Sequence, residues 1–196
     1  MAAKQLNARA KGQRKLYSGQ RQRDATVGKT SLVQVLKNDQ CPKTYTMTVG
    51  ADLVVKSIHI PQTSDVVELY IHDCAGKEMF IDQIDEYIKQ PSLVCLVYDV
   101  TNEVSLASCE KWLQKVRSQK PEISVLVTLI ANKSDLTESR VVSQKEGQAF
   151  AEKNNMKYFE CSAKDSKCVE AAFGTLANSF HHTYLEKTEF FKSLHA

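Results

Sequence analysis

The sequence of 196 residues lacks the features that mark membrane-spanning, secreted and fibrous proteins. Its longest uninterrupted apolar run, residues 93–98, is far shorter than the roughly 20 residues that a membrane-spanning helix requires. The chain does not open with the basic region and apolar segment of a signal peptide. Glycine and proline are scarce, with seven and four residues, which argues against a collagen-like repeat. We therefore expect one globular domain that buries its own core.

The six cysteines lack the spacing of a disulfide framework or a zinc site. No two of them form a Cys-x-x-Cys pair, and no histidine cluster lies near them at zinc-ligand spacing. Cys95 and Cys161 lie inside apolar, strand-like runs. This pattern is typical of reduced, buried thiols in a cytosolic protein.

Acidic residues are absent from residues 1–23, which contain seven of the 26 lysines and arginines. The rest of the chain has 19 basic and 23 acidic side chains, a net charge of −4, although the whole chain carries +3. A basic body that binds nucleic acid is therefore not indicated. We divide the chain into a basic, atypical leader (1–23), a domain (24–185) and a C-terminal helical tail (186–196).

From residue 49 onward, strand-like and helix-like segments alternate. The β-rich runs are VGADLVVKSIHI, VVELYIHD, LVCLVYDV, SVLVTLIAN and the shorter YFECS, and a hairpin-type connection at 61–65 joins the first two. Amphipathic helices are predicted at 30–37, 78–89, 105–117 and 143–153 and in a long segment from 169. The alternation predicts an α/β fold with a doubly wound sheet that binds ligands at the carboxyl ends of its strands.

A first strand before residue 27 is expected in such a fold, but the sequence there gives little sign of one. Residues 14–22 offer only Leu16 and Tyr17 as sizeable apolar side chains. The first strand is therefore either weak or missing.

Residues 27–30, Val-Gly-Lys-Thr, open the first predicted helix and suit a phosphate group. Backbone N–H groups at a helix N-terminus point at the anion, Lys29 adds a positive charge, and the Thr30 hydroxyl can ligate Mg²⁺. The full phosphate-loop pattern also has a glycine five residues before Gly28, where this chain has Arg23.

A second motif, residues 73–76, follows the strand VVELYIHD. Its carboxylate, Asp73, can hold Mg²⁺ through a water molecule, and the N–H of Gly76 can meet a terminal phosphate. A single Asp-x-x-Gly of this kind is more often an ordinary turn.

Two further motifs are suited to a guanine base. Residues 132–135, Asn-Lys-Ser-Asp, follow the run SVLVTLIA, and the carboxylate of Asp135 can accept two hydrogens from the N1 and N2 edge of guanine. Residues 162–164, Ser-Ala-Lys, follow YFEC, and the backbone N–H of Ala163 can meet the guanine carbonyl.

The four motifs, in the order phosphate, magnesium, base and base, resemble those of the Ras-like small GTPases, with the Rab proteins as the nearest branch. The resemblance covers about residues 24–185 and implies a three-layer α/β/α phosphate-loop domain with a mostly parallel six-stranded sheet. It matches Thr48 to the switch threonine that ligates Mg²⁺, and Trp112 to a buried tryptophan after the fourth strand. The cofactors implied are GTP or GDP and Mg²⁺, the last held by Thr30, Thr48 and, through water, Asp73. The nucleotide-binding residues implied are Ala25, Val27, Gly28, Lys29, Thr30, Ser31, Thr48, Asp73, Gly76, Asn132, Lys133, Asp135, Ser162, Ala163 and Lys164.

More narrowly, the stretches TVGADLVVK, ELYIHDCAGKE, LVYDVTNE and YLEKTEFFKSL are similar to the Rab-like GTPases of the intraflagellar transport B complex. This implies a subunit of a ciliary transport train in the cytoplasm and cilium, including the basal body and axoneme. The implied partners are a small β-sandwich subunit, in a heterodimer, and other train subunits. Candidate contact residues, which could equally pack inside the domain, are Tyr184, Phe190, Phe191 and Leu194.

Two departures from ordinary Rab proteins have consequences. Lys77 stands where the glutamine that positions the attacking water is expected, and an ammonium group has no acceptor. We therefore expect slow intrinsic GTP hydrolysis and assign no catalytic residue, unless another group offsets the missing amide. The last cysteine is Cys168, so no C-terminal prenylation signal and no prenyl membrane anchor are expected.

The leader and Arg23 leave alternatives open. The chain could be a nucleotide-independent structural subunit whose damaged phosphate loop no longer binds. An ordinary vesicle-targeting Rab protein is opposed by Lys77 and by the missing prenylation signal. The leader itself could be an alternative exon or a gene-model error, a basic interaction arm, or a mitochondrial transit peptide.

Overall fold

The computed structural model describes residues 13–17, 27–44, 46–75, 91–119 and 125–193. Within these ranges the strands are β1 (Gln13–Tyr17), β2 (Ala51–His59), β3 (Val66–Cys74), β4 (Pro91–Asp99), β5 (Leu126–Asn132) and β6 (Lys157–Glu160). The helices are α1 (Lys29–Asn38), α2 (Glu103–Gln119), α3 (Gln144–Lys153) and α4 (Val169–Ser193), with a 3₁₀ helix at Thr137–Ser139. The strands form one sheet in the order β2-β3-β1-β4-β5-β6.

The sheet is parallel except for the hairpin of β2 and β3. Strand β1 lies between β3 and β4 and pairs with both. The alternative that the first strand is missing is therefore wrong, and residues 13–17 of the leader supply the strand. It is short, and its pairing with β4 shifts register between Gln13 and Arg14. Ladder hydrogen bonds use backbone groups, so a run poor in apolar side chains can still pair with both neighbouring strands.

Three of the predicted helices appear close to their expected bounds, as α1, α2 and α3. The helix predicted at 78–89 lies outside the described residues. Helix α4 runs without a break past residue 186, where the sequence suggested that the tail begins. Helix α3 begins with a capping box, in which the Ser143 Oγ accepts from the Glu146 N–H and the Glu146 carboxylate accepts from the Ser143 N–H.

Helices cover both faces of the sheet, as the three-layer prediction requires. Alternate β4 side chains enter different clusters: Leu93, Cys95 and Val97 lie with α1 and α4, and Val94, Leu96 and Tyr98 lie with α2 and α3. Trp112, predicted to be buried, is 7% exposed and belongs to the second cluster. Burial on both faces explains why the central strands read as continuous apolar runs. Among the described helices, none combines the length and the apolar character that crossing a membrane requires.

Candidate functional site

A cleft of about 440 Å³ opens where the end of β3, the loops that follow β5 and β6, and residues between α1 and β2 meet the start of α1. Its volume is in the usual range for small-molecule sites. Ten of the predicted nucleotide-binding residues line it: Gly28, Lys29, Thr30, Ser31, Thr48, Asn132, Lys133, Asp135, Ala163 and Lys164. Lining residues that the sequence did not predict are Gln34, Cys41, Pro42, Thr44, Thr46, Met47, Cys74 and Leu136. Ala25 and Gly76 lie outside the described residues, as do Arg23 and Lys77.

Helix α1 begins at this cleft, and Gly28 is its N-cap. The Gly28 backbone has a φ of 88°, in the left-handed region that residues with a side chain rarely adopt. Its carbonyl accepts the first hydrogen bond of the helix, from the Leu32 N–H at 3.0 Å. A Cβ atom at Gly28 would collide with the side-chain amide of Asn132. The next residue, Lys29, is 5% exposed. The positive end of the helix dipole and a lysine therefore lie together in the cleft wall, an arrangement suited to an anion.

Asn132, at the end of β5, joins two loops of the cleft. Its Nδ2 donates to the Val27 carbonyl at 2.8 Å, and its Oδ1 accepts from the Ala163 N–H at 3.3 Å. The residue is 1% exposed. The segment before α1 and the loop after β6 are thus held to the same side chain.

The two loops predicted to meet the base contact each other through Asp135. Its Oδ1 accepts from the Ser162 hydroxyl at 2.7 Å, and its Oδ2 lies 4.0 Å from the Lys164 ammonium. A backbone bond of 3.1 Å from Ser134 N to the Cys161 carbonyl adds to this contact. The Asp135 side chain keeps 11% exposure and lines the cleft. The geometry therefore presents a carboxylate in the cleft wall that is held by the loop after β6.

The three residues predicted to hold Mg²⁺ also come together. Thr30 Oγ1 and Thr48 Oγ1 lie 2.9 Å apart, and the Thr48 hydroxyl donates to Asp73 Oδ2 at 3.5 Å. Burial raises the pKa of Asp73 above its ordinary value, while the Thr30 hydroxyl and the charge of Lys29 act in the opposite direction. Asp73 Oδ1 is buried without a hydrogen-bond partner among the described residues. Hydroxyl and carboxylate oxygens with one buried oxygen unsatisfied fit a Mg²⁺ ion, which prefers such ligands.

Asp99, at the end of β4, is a site-associated residue that sequence reasoning missed. Its Oδ2 accepts from the Lys133 ammonium at 2.5 Å. The sequence gives one sign of this role: Asp99 is an acidic residue at the end of the apolar run LVCLVYD. The loop from Cys41 to Thr48 was also missed, apart from Thr48 itself.

Comparison with known proteins agrees with the motif order. Residues 23–182 match the family model described as the Ras family. The chain is 47% identical over 173 residues to the Bos taurus and Homo sapiens proteins named intraflagellar transport protein 27 homolog, covering 87% of this chain and 93% of each relative. It is 34% identical to the Chlamydomonas reinhardtii intraflagellar transport protein 27, over 86% of both chains. It is also 39% identical to the Theileria parva Ras-related protein Rab-1, over 80% of this chain and 70% of that protein.

Proposed function

This chain belongs to the Ras family of small GTPases, and from this premise we propose that it is a guanine-nucleotide switch subunit of the intraflagellar transport B complex. The transport assignment is supported by the names of the relatives that align with most of the chain. The single observation that carries nucleotide binding is the Asn132 side chain, which joins the phosphate-binding segment to the base loop across one cleft.

Each group of residues has a separate role in this proposal. Lys29 and the N–H groups at the start of α1 bind the phosphates, and Asp135 reads the N1 and N2 edge of guanine. The Ala163 N–H, which donates to Asn132 Oδ1 at 3.3 Å, would be shared with the guanine carbonyl. Thr30, Thr48 and Asp73 would hold Mg²⁺, which would supply positive charge beside the phosphates. Thr48 belongs to the loop that lines the cleft and contacts Thr30 and Asp73, so we expect that loop to be more ordered in the GTP state than in the GDP state.

Hydrolysis is proposed to be slow, so that the nucleotide acts mainly as a conformational signal. Lys77 has three donors and no acceptor, whereas the expected glutamine can both accept from and donate to the attacking water. A Lys77→Gln variant should raise the single-turnover rate of GTP hydrolysis by about a hundredfold, the lower end of the range that general catalysis by one group supplies. An unchanged rate in a variant that still binds GTP would mean that Lys77 does not limit hydrolysis.

The partner is proposed to be a small β-sandwich subunit of the same complex, in a heterodimer bound to the transport train. The end of α4 offers apolar side chains for such a contact: Tyr184, Leu185 and Phe190 are 39%, 42% and 61% exposed. Their exposure favours a partner contact over packing inside the domain. We place the heterodimer in the cytoplasm and the cilium, at the basal body and along the axoneme.

Nucleotide binding can be tested on the full chain purified with this partner. A fluorescent GDP analogue is titrated with Mg²⁺ against the unaltered chain, Asp135→Ala and the control Asp165→Ala. Asp165 is exposed and does not line the cleft. We expect Asp135→Ala alone to lose about a hundredfold in affinity, which corresponds to about 3 kcal/mol for a charged hydrogen-bonding group. Equal affinities for all three proteins would contradict the proposed base site.

The same preparation distinguishes the switch from a nucleotide-independent structural subunit. A switch should assemble more weakly with its partner when Asp135→Ala lowers the nucleotide affinity, whereas a structural subunit should assemble as well as the unaltered chain does. An Arg23→Gly variant restores the glycine of the phosphate-loop pattern. Binding by both the unaltered and the Arg23→Gly chains would show that Arg23 is tolerated. Binding by Arg23→Gly alone would favour the structural subunit.

A further inference from the structure

We propose that Asp99 is a positioning residue for the nucleotide site, and that it slows nucleotide dissociation by holding Lys133. The inference rests on the proposed function and extends it to a residue outside the four motifs. Asp99 is not among the residues that line the cleft. The Asp99 side chain can therefore act on the nucleotide only through a residue that lines the cleft, and the lining side chain that it contacts is Lys133.

The carboxylate of Asp99 is itself rigidly held. Its Oδ1 accepts from the Thr101 N–H at 2.9 Å and from the Thr101 hydroxyl at 2.7 Å. The residue is 6% exposed and ends β4 directly beside Asn132 of β5. A backbone bond of 3.1 Å from Val100 N to the Asn132 carbonyl continues this pairing. The second oxygen, Oδ2, is thereby presented to Lys133 in a fixed direction.

Lys133 needs such support because its backbone is unusual. Its φ of 64° lies in the left-handed region, which a lysine rarely adopts. Its carbonyl accepts from Leu136 N at 3.0 Å, so the residue begins the turn that leads to Asp135 and Leu136. Conformations of this kind persist only where surrounding contacts fix them. The ion pair between the Lys133 side chain, just after β5, and Asp99, at the end of β4, is such a contact.

The consequence for binding follows from side-chain entropy. A lysine has four rotatable bonds, and a ligand that immobilises it must offset the freedom that is lost. Asp99 restricts the side chain before any ligand arrives, and 30% of the Lys133 side chain remains exposed toward solvent. The site is therefore organised in advance, and a bound nucleotide should dissociate more slowly than from a chain in which Lys133 is free.

A double-mutant cycle on the full chain with its partner tests this inference. We measure the dissociation rate of fluorescent GDP from the unaltered chain, Asp99→Ala, Lys133→Ala and the double variant. Each single change should accelerate dissociation by about tenfold, and the double variant should be no faster than the faster single one, because both changes remove the same contact. Asp99→Asn keeps an acceptor oxygen and should be intermediate.

A matched control is Asp65→Asn. Asp65 is also a partly buried carboxylate, bonded to His181 at 2.8 Å, but it lies in the β2–β3 turn and does not line the cleft. It should leave GDP dissociation unchanged. Should Asp99→Ala fail to fold, the same cycle is run with Asp99→Asn.

The outcomes separate this inference from the function on which it rests. GDP binding by the unaltered chain with additive effects of Asp99 and Lys133 would overturn the positioning role alone, since Asp99 would then act on general stability. GDP dissociation unaffected by either change would overturn it as well. Failure of the unaltered chain to bind GDP would overturn both the proposed function and this inference.

Discussion

The side-chain amide of Asn132 donates to the carbonyl of Val27 at 2.8 Å, across 105 residues of sequence. An Asn132→Asp change keeps the size of the side chain and the acceptor for the Ala163 N–H. It removes the donor to Val27 and places a carboxylate oxygen against a carbonyl oxygen. We expect GDP affinity to fall by about tenfold to a hundredfold, because an unsatisfied buried acceptor costs about 1–3 kcal/mol.

Equilibrium titration with fluorescent GDP measures this loss. Asn155→Asp is the control, since Asn155 is exposed after α3 and does not line the cleft. It should bind GDP as the unaltered chain does. An Asn132→Asp affinity within twofold of the unaltered value would show that the bridge does not organise the site.

A glycine-to-alanine substitution should have opposite effects on stability at Gly28 and at Gly174. Gly28→Ala places a Cβ against Asn132 at a backbone φ of 88°, so we expect the free energy of unfolding to fall by about 1–3 kcal/mol. At Gly174, inside α4, a Cβ meets nothing within 4 Å. Gly174→Ala should therefore stabilise the chain by about 0.5–1 kcal/mol. Urea unfolding of both variants checks the opposite signs, and equal effects would contradict the packing argument.

The motifs around Gly28, Asn132 and Ala163 could be predicted from the sequence because each follows or opens a strongly patterned strand or helix. Parallel strands place their carboxyl ends at one edge of the sheet, so motif order alone brought these residues together. Strand β1 could not be predicted with the same assurance, because backbone pairing with β3 and β4, rather than an apolar run, specifies it.

Asp99 could not be predicted because its role depends on which strands are neighbours. An acidic residue at the end of β4 meets Lys133 only once β4 and β5 pair with Asp99 opposite Asn132. Nothing in the local sequence of either residue specifies that register. The cleft-lining residues from Cys41 to Met47 follow no regular pattern either, since loops are positioned by the elements that they connect.

Thr128 provides a test of the core rather than of the site. The residue lies on β5 and is fully buried, and its Oγ1 has no hydrogen-bond partner among the described residues. Thr128→Val replaces that hydroxyl with a methyl group of similar size and removes the cost of burying it. We expect about 1 kcal/mol of added stability in urea unfolding.

The control for this change is Thr175→Val on α4. The Thr175 hydroxyl donates to the Ala171 carbonyl at 2.9 Å in an exposed setting, so its loss should change stability by less than about 0.5 kcal/mol. A destabilised Thr128→Val variant would mean that a water molecule or another group satisfies the hydroxyl.

Glu160 gives the fold a dependence on pH. Burial by itself raises the pKa of this carboxyl, but the hydrogen bonds from Arg140 and Tyr158 together lower it below the ordinary value of 4.5. Arg140 donates to both carboxylate oxygens, at 2.8 and 3.1 Å, and the Tyr158 hydroxyl donates at 2.8 Å. A carboxyl whose pKa is lowered by folding contributes stability above pH 4.5, and this contribution is lost as the pH falls through the folded value.

Glu160→Gln removes the charge, and its amide group opposes a donor nitrogen of Arg140. We expect a loss of about 1–3 kcal/mol at neutral pH, the range for hydrogen bonds to charged groups. Urea unfolding between pH 7 and pH 3 should then show a smaller decline below pH 4.5 than the unaltered chain shows. Glu152→Gln, at an exposed position on α3, should keep the full decline. Parallel pH profiles for the unaltered chain and Glu160→Gln would mean that other carboxylates control acid unfolding, because a titrating group that has been removed cannot contribute to the slope.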